Sequence, residues 1–376
     1  MANWGGDSIS VIDAATNMAV GEPIPVGSRP IGIAVNPVGG TVYVTHGVDN
    51  SVWAMHIEVT DGSIEGIGAF PIAVSSGSDG IAVNASTNRI YVAHSGSTRV
   101  SVIDGATNDV VDTVEVGTAP AGVAVNATLN RVYVTNRVDN TVSVIDGATN
   151  DVVETVPVGG QPEGVAVNRA LNRVYVANNW DNTVSVIDGA TNDVVETVPV
   201  GDSPMGVDAT PINNRVYVAN ENSNTVSVID GATNTVVDTV DVGLVPRGVS
   251  VEHVTYRVYV ANFDEGTVSV IEDLPEAEPE PEPEPEPLPG TTENVPLQGG
   301  VCNPVATTYP DSTPIGTIAD AVTPIAMLDS LWQFESGMWT GWSAEFPEAS
   351  DLTHVDFLDV VFVCVEGAAT FTRPVP

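Results

Sequence analysis

Short apolar runs rich in Val, Ile and Thr recur between turn-forming residues through the first 272 residues of the chain. One unit contains four such runs: GVAVN (Gly164–Asn168), RVYVAN (Arg173–Asn178), TVSVID (Thr183–Asp188) and DVVETVPVG (Asp193–Gly201). Runs of this length bounded by Gly, Asn, Asp and Pro predict β-strands. The alternation of apolar and polar positions is weak, which indicates sheets that are covered on both faces.

The unit repeats at a nearly fixed spacing. The tyrosine of its second strand occurs at Tyr43, Tyr91, Tyr133, Tyr175, Tyr217 and Tyr259, with a first interval of 48 residues and later ones of 42. The segment Asn140–Gly159 recurs unchanged as Asn182–Gly201. Four-stranded units of this period predict an all-β fold, a β-propeller of four-stranded blades.

The strand count favours seven blades. The SVID-type third strand occurs seven times, from Ser10 to Ser269, whereas the GVAVN-type inner strand occurs six times. Five blades are complete over residues 31–243, a sixth lacks its outer strand, and residues 1–27 hold the last two strands of an incomplete N-terminal blade. A six-bladed ring is the alternative, and it would have to displace Ser8–Asp13.

The beginning of the sequence resembles the middle of a blade. Aligning MANWGGDSISVID with VANNWDNTVSVID puts Met1 at the place of Val176. We therefore expect a truncated N-terminus, with the missing strands and a signal peptide encoded upstream. A genuine start at Met1 is the alternative.

The turn DGATN between the third and fourth strands carries its own expectations. Its aspartate is expected to form an Asx turn, and its glycine to adopt a positive φ. The repeated aspartates could instead coordinate Ca²⁺, although turn formation accounts for them; they are Asp104, Asp146, Asp188 and Asp230. An arginine opens the second strand in five blades and is expected to pair with an acid of its own blade rather than form an anion-binding ring; the five are Arg89, Arg131, Arg173, Arg215 and Arg257.

Charge narrows the classes of partner. The formal net charge is -38, and every one of the 11 cations is arginine. Such a surface repels nucleic acid and anionic lipid, so we expect no nucleic-acid partner. No apolar run reaches the length of a transmembrane helix. Salt adaptation would produce the same acidity.

The last hundred residues differ in composition. Residues 274–290 are expected to form a stiff Pro-Glu linker, because alternating Pro and Glu extend as polyproline II. Residues 291–376 are expected to form a small β-rich module closed by a disulfide between Cys302 and Cys364, which favours an oxidising compartment; a reduced buried pair is the alternative. Three tryptophans could make an aromatic platform or belong to the module's core: Trp332, Trp339 and Trp342.

YVTN stands at Tyr133–Asn136, YVAN at three later strands, and SVIDGATN accompanies them. With these motifs the blades resemble the YVTN-family propeller repeats of bacterial and archaeal surface-layer and exported proteins. The resemblance covers about 70% of the chain. It implies a seven-bladed, commonly extracellular propeller.

Two kinds of loop vary among the copies and are expected to share one face around the channel. The loop entering the inner strand reads GxxPxG and varies before its last glycine, at Ile31, Asp79, Ala121, Glu163, Met205 and Arg247, with Arg29 inside its first copy. The loop after the second strand offers Trp4, Arg137, Trp180, Glu221 and Phe263. Because rigid scaffolds carry recognition on loops, this face is the candidate binding site. Drift at exposed positions is the alternative.

His46 and His94 replace the asparagine of YVAN in adjacent blades. They could begin a metal site or an acid/base pair near Asp49 or Asp79. The alternative is that each imidazole replaces the asparagine's hydrogen bond. No catalytic signature accompanies them.

We therefore expect a non-catalytic extracellular or cell-surface propeller that serves binding, adhesion or envelope assembly, with a protein or glycan ligand and no required cofactor. A propeller enzyme of the lactonase or lyase kind, acting at the channel mouth, is the alternative.

Overall fold

A computed structural model describes residues 1–60, 63–252 and 257–272 and the strands of the C-terminal part. The chain divides into two compact units, Met1–Pro275 and Glu276–Pro376. The predicted linker, residues 274–290, lies outside the described residues. Within the described residues, no helix has the length and apolarity that a membrane crossing needs.

The first unit is a seven-bladed β-propeller, as the strand count predicted. Each blade is one antiparallel sheet whose strands follow in chain order. The first, second and third blades comprise β1 (Ala2–Asn3), β2 (Ser8–Asp13) and β3 (Met18–Pro25); β4 (Pro30–Asn36), β5 (Thr41–His46), β6 (Ser51–Thr60) and β7 (Ser63–Ala73); β8 (Ser78–Asn84), β9 (Arg89–His94), β10 (Arg99–Asp104) and β11 (Val110–Glu115). The fourth and fifth comprise β12 (Pro120–Asn126), β13 (Arg131–Asn136), β14 (Thr141–Asp146) and β15 (Val152–Pro157); β16 (Pro162–Asn168), β17 (Arg173–Asn178), β18 (Thr183–Asp188) and β19 (Val194–Pro199). The sixth and seventh comprise β20 (Pro204–Ala209), β21 (Arg215–Asn220), β22 (Thr225–Asp230) and β23 (Thr235–Asp241); β24 (Pro246–Glu252), β25 (Arg257–Asn262) and β26 (Thr267–Glu272).

The first blade holds three strands rather than the two expected from residues 1–27. The additional strand is β1, which pairs Ala2 with Ile9 and Asn3 with Ser8. Met1 continues this ladder, since its backbone exchanges hydrogen bonds of 2.7 and 2.9 Å with Ser10. These pairs match those of β17 with β18, so the strand occupies the second position of a blade.

The core lies between adjacent blades. The second and third strands of the complete blades are buried along nearly their whole length, and the tyrosines of the second strands from Tyr43 to Tyr217 are fully buried. One apolar cluster joins Tyr133 of the fourth blade to Val174 and Ile187 of the fifth, and similar clusters join the other neighbouring blades. The outer strands are mostly exposed, as in β19. Stacking of sheets thus explains the weak alternation in the sequence.

Buried asparagines at the ends of the inner strands link each blade to the next. The Nδ2 of Asn36 donates to Asn88 Oδ1 at 2.6 Å, and Asn84 and Asn126 donate in the same way to Asn130 and Asn172. Asn168 continues the series to Asn214 at 3.3 Å. Each donor also accepts a backbone N–H of its own turn through Oδ1. The asparagine therefore closes a turn and joins two sheets at once.

The DGATN turn confirms the Asx prediction and corrects the expectation for glycine. Asp104 Oδ1 accepts the backbone N–H groups of Ala106 and Thr107 at 2.8 and 3.3 Å. The positive φ belongs to Asn108, at 61°, and Gly105 is not among the residues with positive φ. Glycine is required here for space, because a Cβ at Gly105 would collide with the side chain of Asn88. Asparagine tolerates the left-handed conformation well.

The ring closes between the seventh and first blades by the bonds used elsewhere. The hydroxyl of Tyr43 donates to Asn108 in the next blade at 2.6 Å, and the hydroxyl of Tyr259 donates to Asn17 of the first blade at 2.9 Å. Arg257 also donates to the carbonyl of Ala14. The two three-stranded blades, the seventh and the first, therefore meet at the closure through the same tyrosine-to-asparagine hydrogen bond that joins the second and third blades.

The strands of the second unit are β27 (Thr292–Leu297), β28 (Val301–Ala306), β29 (Thr313–Pro314), β30 (Val322–Thr323), β31 (Leu328–Glu335), β32 (Met338–Ser343), β33 (His354–Val355), β34 (Val360–Val365) and β35 (Ala369–Pro374). Cys302 of β28 lies directly opposite Cys364 of β34. Directly opposed residues of antiparallel strands have a Cα separation that a disulfide can span. The bond itself stays a prediction, because the side chains of this unit lie outside the described part.

The three tryptophans of the proposed platform lie on a hairpin. In the register of β31 and β32, Trp332 opposes Gly341 and Phe334 opposes Trp339. Alternation along a strand then places Trp332 and Trp339 at positions of one face and Trp342 at a position of the other. The platform stays a prediction, since these side chains are not described.

We expect Tyr259→Phe to lower the free energy of unfolding of the full chain by about 1 kcal/mol, because one hydrogen bond across the closure is lost. Tyr43→Phe is the matched control for an ordinary blade interface, and it should cost about the same. Equilibrium urea unfolding of the three proteins would measure both changes. A cost for Tyr43→Phe without any cost for Tyr259→Phe would contradict the described closure.

Candidate functional site

The two variable kinds of loop lie together, as predicted, and we call their common surface the loop face. The entry loop has one strained position before its proline, where Arg29, Ala119, Gln161, Ser203 and Val245 all have φ between 50° and 58°. The divergent second copy, which leads into the third blade, places Gly77 there, at 72°. Left-handed backbone in five non-glycine residues fixes the loop's shape and sets which side chains project from it.

Three residues from adjacent blades form an ion-paired group, which we call the acidic triad: Asp79, Arg137 and Glu163. Arg137 Nη2 lies 3.0 Å from Asp79 Oδ2, and its Nε lies 2.6 Å from Glu163 Oε2. The Glu163 side chain is 9% exposed and that of Arg137 27% exposed. One arginine of the fourth blade thus bridges the entry loops of the third and fifth. This juxtaposition confirms that the two kinds of loop share a face.

Burial dominates the electrostatics of the acidic triad. It raises the pKa of Asp79 and of Glu163, and the positive charge of Arg137 opposes both shifts. The two carboxylates in turn raise the pKa of Arg137 against its own desolvation. The triad can therefore hold a proton or orient a polar ligand, but its guanidinium is already engaged on both sides.

A second group surrounds the closure of the ring, and we call it the seam cluster: Arg29, Trp4, Phe263, Arg247 and Glu221. Trp4 and Phe263 meet edge to face with their ring centroids 5.8 Å apart. The Arg29 guanidinium lies 4.7 Å from the Trp4 ring and that of Arg247 lies 4.0 Å from the Phe263 ring. Both aromatic residues remain about 40% exposed. All five residues were candidates from the sequence, but their contact with one another was not predicted.

Glu221 holds one end of the seam cluster. Its Oε1 accepts from Nε and Nη2 of Arg247 at 3.1 and 2.7 Å. No ion pair of Arg29 is found among the described residues. The cluster thus contains two guanidiniums and one carboxylate, and the Asp7 carboxylate adjoins it at the backbone N–H of Arg29.

The two histidines lie beneath the loop face and are fully buried. His94 Nε2 lies 2.8 Å from Ser101 Oγ, the place where Asn136 donates to Ser143. His94 therefore replaces the hydrogen bond of the asparagine, which is the alternative interpretation given to the two histidines from the sequence. Burial lowers its pKa to about 4.

His46 lacks the serine partner because Trp53 stands there, with ring centroids 5.8 Å apart. Neither ring nitrogen of His46 has a hydrogen-bond partner in the described part of the chain, and burial lowers its pKa. Among the described residues, no three His, Cys, Asp or Glu side chains converge as metal ligands would. A paired metal or acid/base site at the histidines stays a prediction.

The remaining loop candidates stand apart from these groups. Trp180 is 73% exposed, and the position equivalent to Arg137 is its neighbour Asn179. The Nδ2 of Asn179 donates to the carbonyl of Pro204 at 3.3 Å and lies 3.3 Å from Met205 Sδ. Ile31 is exposed and Ala121 is buried.

The repeated arginines and aspartates serve the scaffold. Arg89 lies 2.6 Å from Asp104 and Arg257 lies 3.4 Å from Glu272, each an acid of its own blade. Arg173 differs, because it donates to the Gly231 carbonyl and to Asn234 of the next blade. Hydrogen bonds from backbone N–H groups lower the pKa of Asp104, so its carboxylate is occupied by the turn.

The sequence reading missed one pocket on the loop face. It has a volume of about 680 Å³ and is lined largely by hydroxyl side chains of the third blade, among them Ser75, Ser76, Ser95, Ser97 and Thr98. The signal was the divergent loop around Gly77, where SGSDG replaces the usual proline-containing sequence. A Cβ at Gly77 would lie 2.7 Å from the backbone nitrogen of Gly96, so glycine lets the two loops approach.

Comparison with known proteins supports the fold. A family described as YNCE-like beta-propeller matches residues 124–215. A second family, SMP-30/Gluconolactonase/LRE-like region, matches residues 27–138. The chain therefore carries propeller segments similar to both, and neither match spans half of it.

Similarity to solved structures gives the same result. Hydrazine synthase from Kuenenia stuttgartiensis aligns with a TM-score of 0.62 at 21% identity, over 72% of this chain and 90% of that one. A likeness at this identity establishes the propeller fold alone. A search among curated proteins gave no significant match.

Acid unfolding should report on His94. Its pKa is about 4 in the folded protein and 6.5 in the unfolded reference, so only the unfolded state gains a proton between these values. His94 therefore costs stability progressively as the pH falls from 6.5 to 4, by about 3 kcal/mol in all.

His94→Asn restores the residue of the other blades and should reduce the loss of unfolding free energy between pH 7.5 and pH 4 by roughly that amount. Urea unfolding across this range would measure it, with exposed His56→Asn as the control. Equal pH dependence in wild type and His94→Asn would show that the burial of His94 has no such effect.

Proposed function

We propose that this protein is a non-catalytic, exported or cell-surface binding propeller that recognises its ligand on the loop face. The observation that carries the proposal is the contrast between the two ends of the blades. On the loop face, equivalent positions hold Trp4, Arg137, Glu221 and Phe263 in different blades. On the opposite face, Asp104, Asp146, Asp188 and Asp230 make the same turn each time.

The chemistry of the loop face supports recognition rather than packing. The seam cluster leaves two aromatic rings half-exposed beside two arginines. Exposed aromatic residues and arginine are enriched where proteins bind ligands and partners. The stability of the fold does not require an aromatic side chain at these positions, since the fifth blade has Asn179 at the position of Trp4 and Phe263.

The proposed surface location has separate support. Cys302 and Cys364 are opposed in register, which would suit a disulfide of an oxidising compartment. The Pro-Glu segment is the kind of spacer that holds a domain away from its attachment.

We expect Cys302 and Cys364 of the purified native protein to resist alkylation under denaturing conditions until a reductant is added. Intact-mass spectrometry would count the modified thiols before and after reduction. Two thiols that react without reductant would remove this support for an extracellular location.

Binding can be tested with residues that the repeats already tolerate. A loop-face variant would combine Trp180→Asn, Met205→Ala, Glu221→Asn and Phe263→Asn, the residues at equivalent positions in other blades. A control on the opposite face would combine Asp109→Thr, Asp151→Thr and Asp193→Thr, because Thr235 stands there in the sixth blade.

The probe is an array of neutral and acidic oligosaccharides, to which the full chain is applied. We expect the wild type and the control to bind at least one glycan class, and the loop-face variant to bind it at least about tenfold more weakly. Absence of binding by the wild type, or equal loss in the control, would contradict the proposal.

The match of residues 27–138 to a family named for gluconolactonase favours an enzyme as the second candidate. The acidic triad would supply its acid or base, because burial raises the pKa of Asp79 and Glu163. Hydrolysis of gluconolactone with added Ca²⁺ or Zn²⁺, lost in Asp79→Asn, would favour this candidate over a binding protein.

A further inference from the structure

The seam cluster combines features that together define a class of ligand. Its two rings come from opposite ends of the propeller sequence, Trp4 in the first blade and Phe263 in the seventh. Their edge-to-face contact leaves 41% of Trp4 and 40% of Phe263 exposed. A half-exposed pair of this kind presents an apolar surface of limited size, to which a single flat molecule can be applied.

Arg29 supplies the charge. Its backbone is anchored, because its N–H donates to Asp7 Oδ1 at 2.9 Å. Its guanidinium lies over the Trp4 ring, 4.7 Å from the ring centroid, and no carboxylate forms an ion pair with it among the described residues. A stacked guanidinium keeps its N–H donors in the plane of the group, where they can bind a carboxylate in a bidentate manner.

Arg247 differs from Arg29 in being neutralised. It stacks on Phe263, and Glu221 accepts two of its hydrogen bonds. The cluster thus offers one unpaired cation beside an apolar surface. The net charge of -38 on the whole chain opposes a highly charged anion. These observations favour a ligand with a single negative charge.

We propose that the seam cluster binds a sugar acid, a hexuronate residue whose carboxylate pairs with Arg29 and whose C–H face lies against Trp4 and Phe263. The proposal rests on the loop face being the binding surface. A neutral sugar would offer Arg29 hydroxyl oxygens as acceptors but no negative charge. A phosphate or sulfate would leave the aromatic surface uncovered.

The variants again come from the protein's own repeats. Arg29→Gln is accommodated by the backbone, because Gln161 occupies the equivalent position at a φ of 50°. Trp4→Asn matches Asn179 of the fifth blade. The control variant is Arg99→Gln, which removes an exposed arginine that pairs with Glu115 outside the cluster.

Isothermal titration of the full chain with glucuronate, glucose and inorganic phosphate would test the proposal. We expect glucuronate to bind the wild type with a Kd of about 1 mM or tighter, and glucose and phosphate at least about tenfold more weakly. Arg29→Gln and Trp4→Asn should each weaken glucuronate binding at least about tenfold, and Arg29→Lys should restore only part of it. The control variant Arg99→Gln should bind as the wild type does.

Equal affinity for glucuronate and glucose, equal affinity for glucuronate and phosphate, or unchanged binding by Arg29→Gln would each overturn the proposal. The glycan array separates it from the proposed function. If the array shows ligand binding that depends on the loop face while glucuronate does not bind, the sugar-acid proposal fails and the binding propeller remains. If neither assay detects binding, both fail.

Discussion

The propeller depends on hydrogen bonds that run from the inner strand of one blade to a turn of the next. Asn36, Asn84, Asn126 and Asn168 are at most 1% exposed, and each donates to an asparagine of the following blade. A buried amide that loses its partner costs about 1–3 kcal/mol, so replacing the acceptor asparagine of the next blade would weaken the interface between the two blades. Individual blades are therefore not independent units. The apolar clusters between the sheets also stabilise the blades only in pairs, because each cluster is formed by two adjacent blades.

Much of the scaffold could be predicted from the sequence, because repetition multiplies weak signals. A single run such as TVSVID is ambiguous by itself, but the seven third strands of this type predicted both the strands and the number of blades. The Asx turn at Asp104 was predictable for the same reason, since aspartate at the start of such a turn has one common role. The shared face of Arg137 and Glu163 followed from the topology of any four-stranded blade.

What could not be predicted depends on contacts between distant positions or on small differences in packing. The encounter of Trp4 with Phe263 exists only because the ring closes, and their separation in sequence gives no sign of it. Gly105 is needed because the side chain of Asn88 fills the space of a Cβ, whereas the positive φ lies at Asn108, and the sequence DGATN does not distinguish these two roles. His94 and His46 occupy equivalent positions in adjacent blades. His94 has a hydrogen-bonding neighbour in Ser101, whereas the second blade has Trp53 at the position of that serine, so His46 does not.

The position of the seam cluster couples recognition to the integrity of the ring. Its residues belong to the first, second, sixth and seventh blades, so they lie on both sides of the junction where Tyr259 meets Asn17. A molecule held between Trp4 and Phe263 would contact both ends of the propeller and would prefer the closed form. By mass action, such a molecule shifts the balance against opening at the junction, in proportion to its concentration. The junction that closes the ring would then also be the place where the concentration of a ligand sets the stability of the propeller.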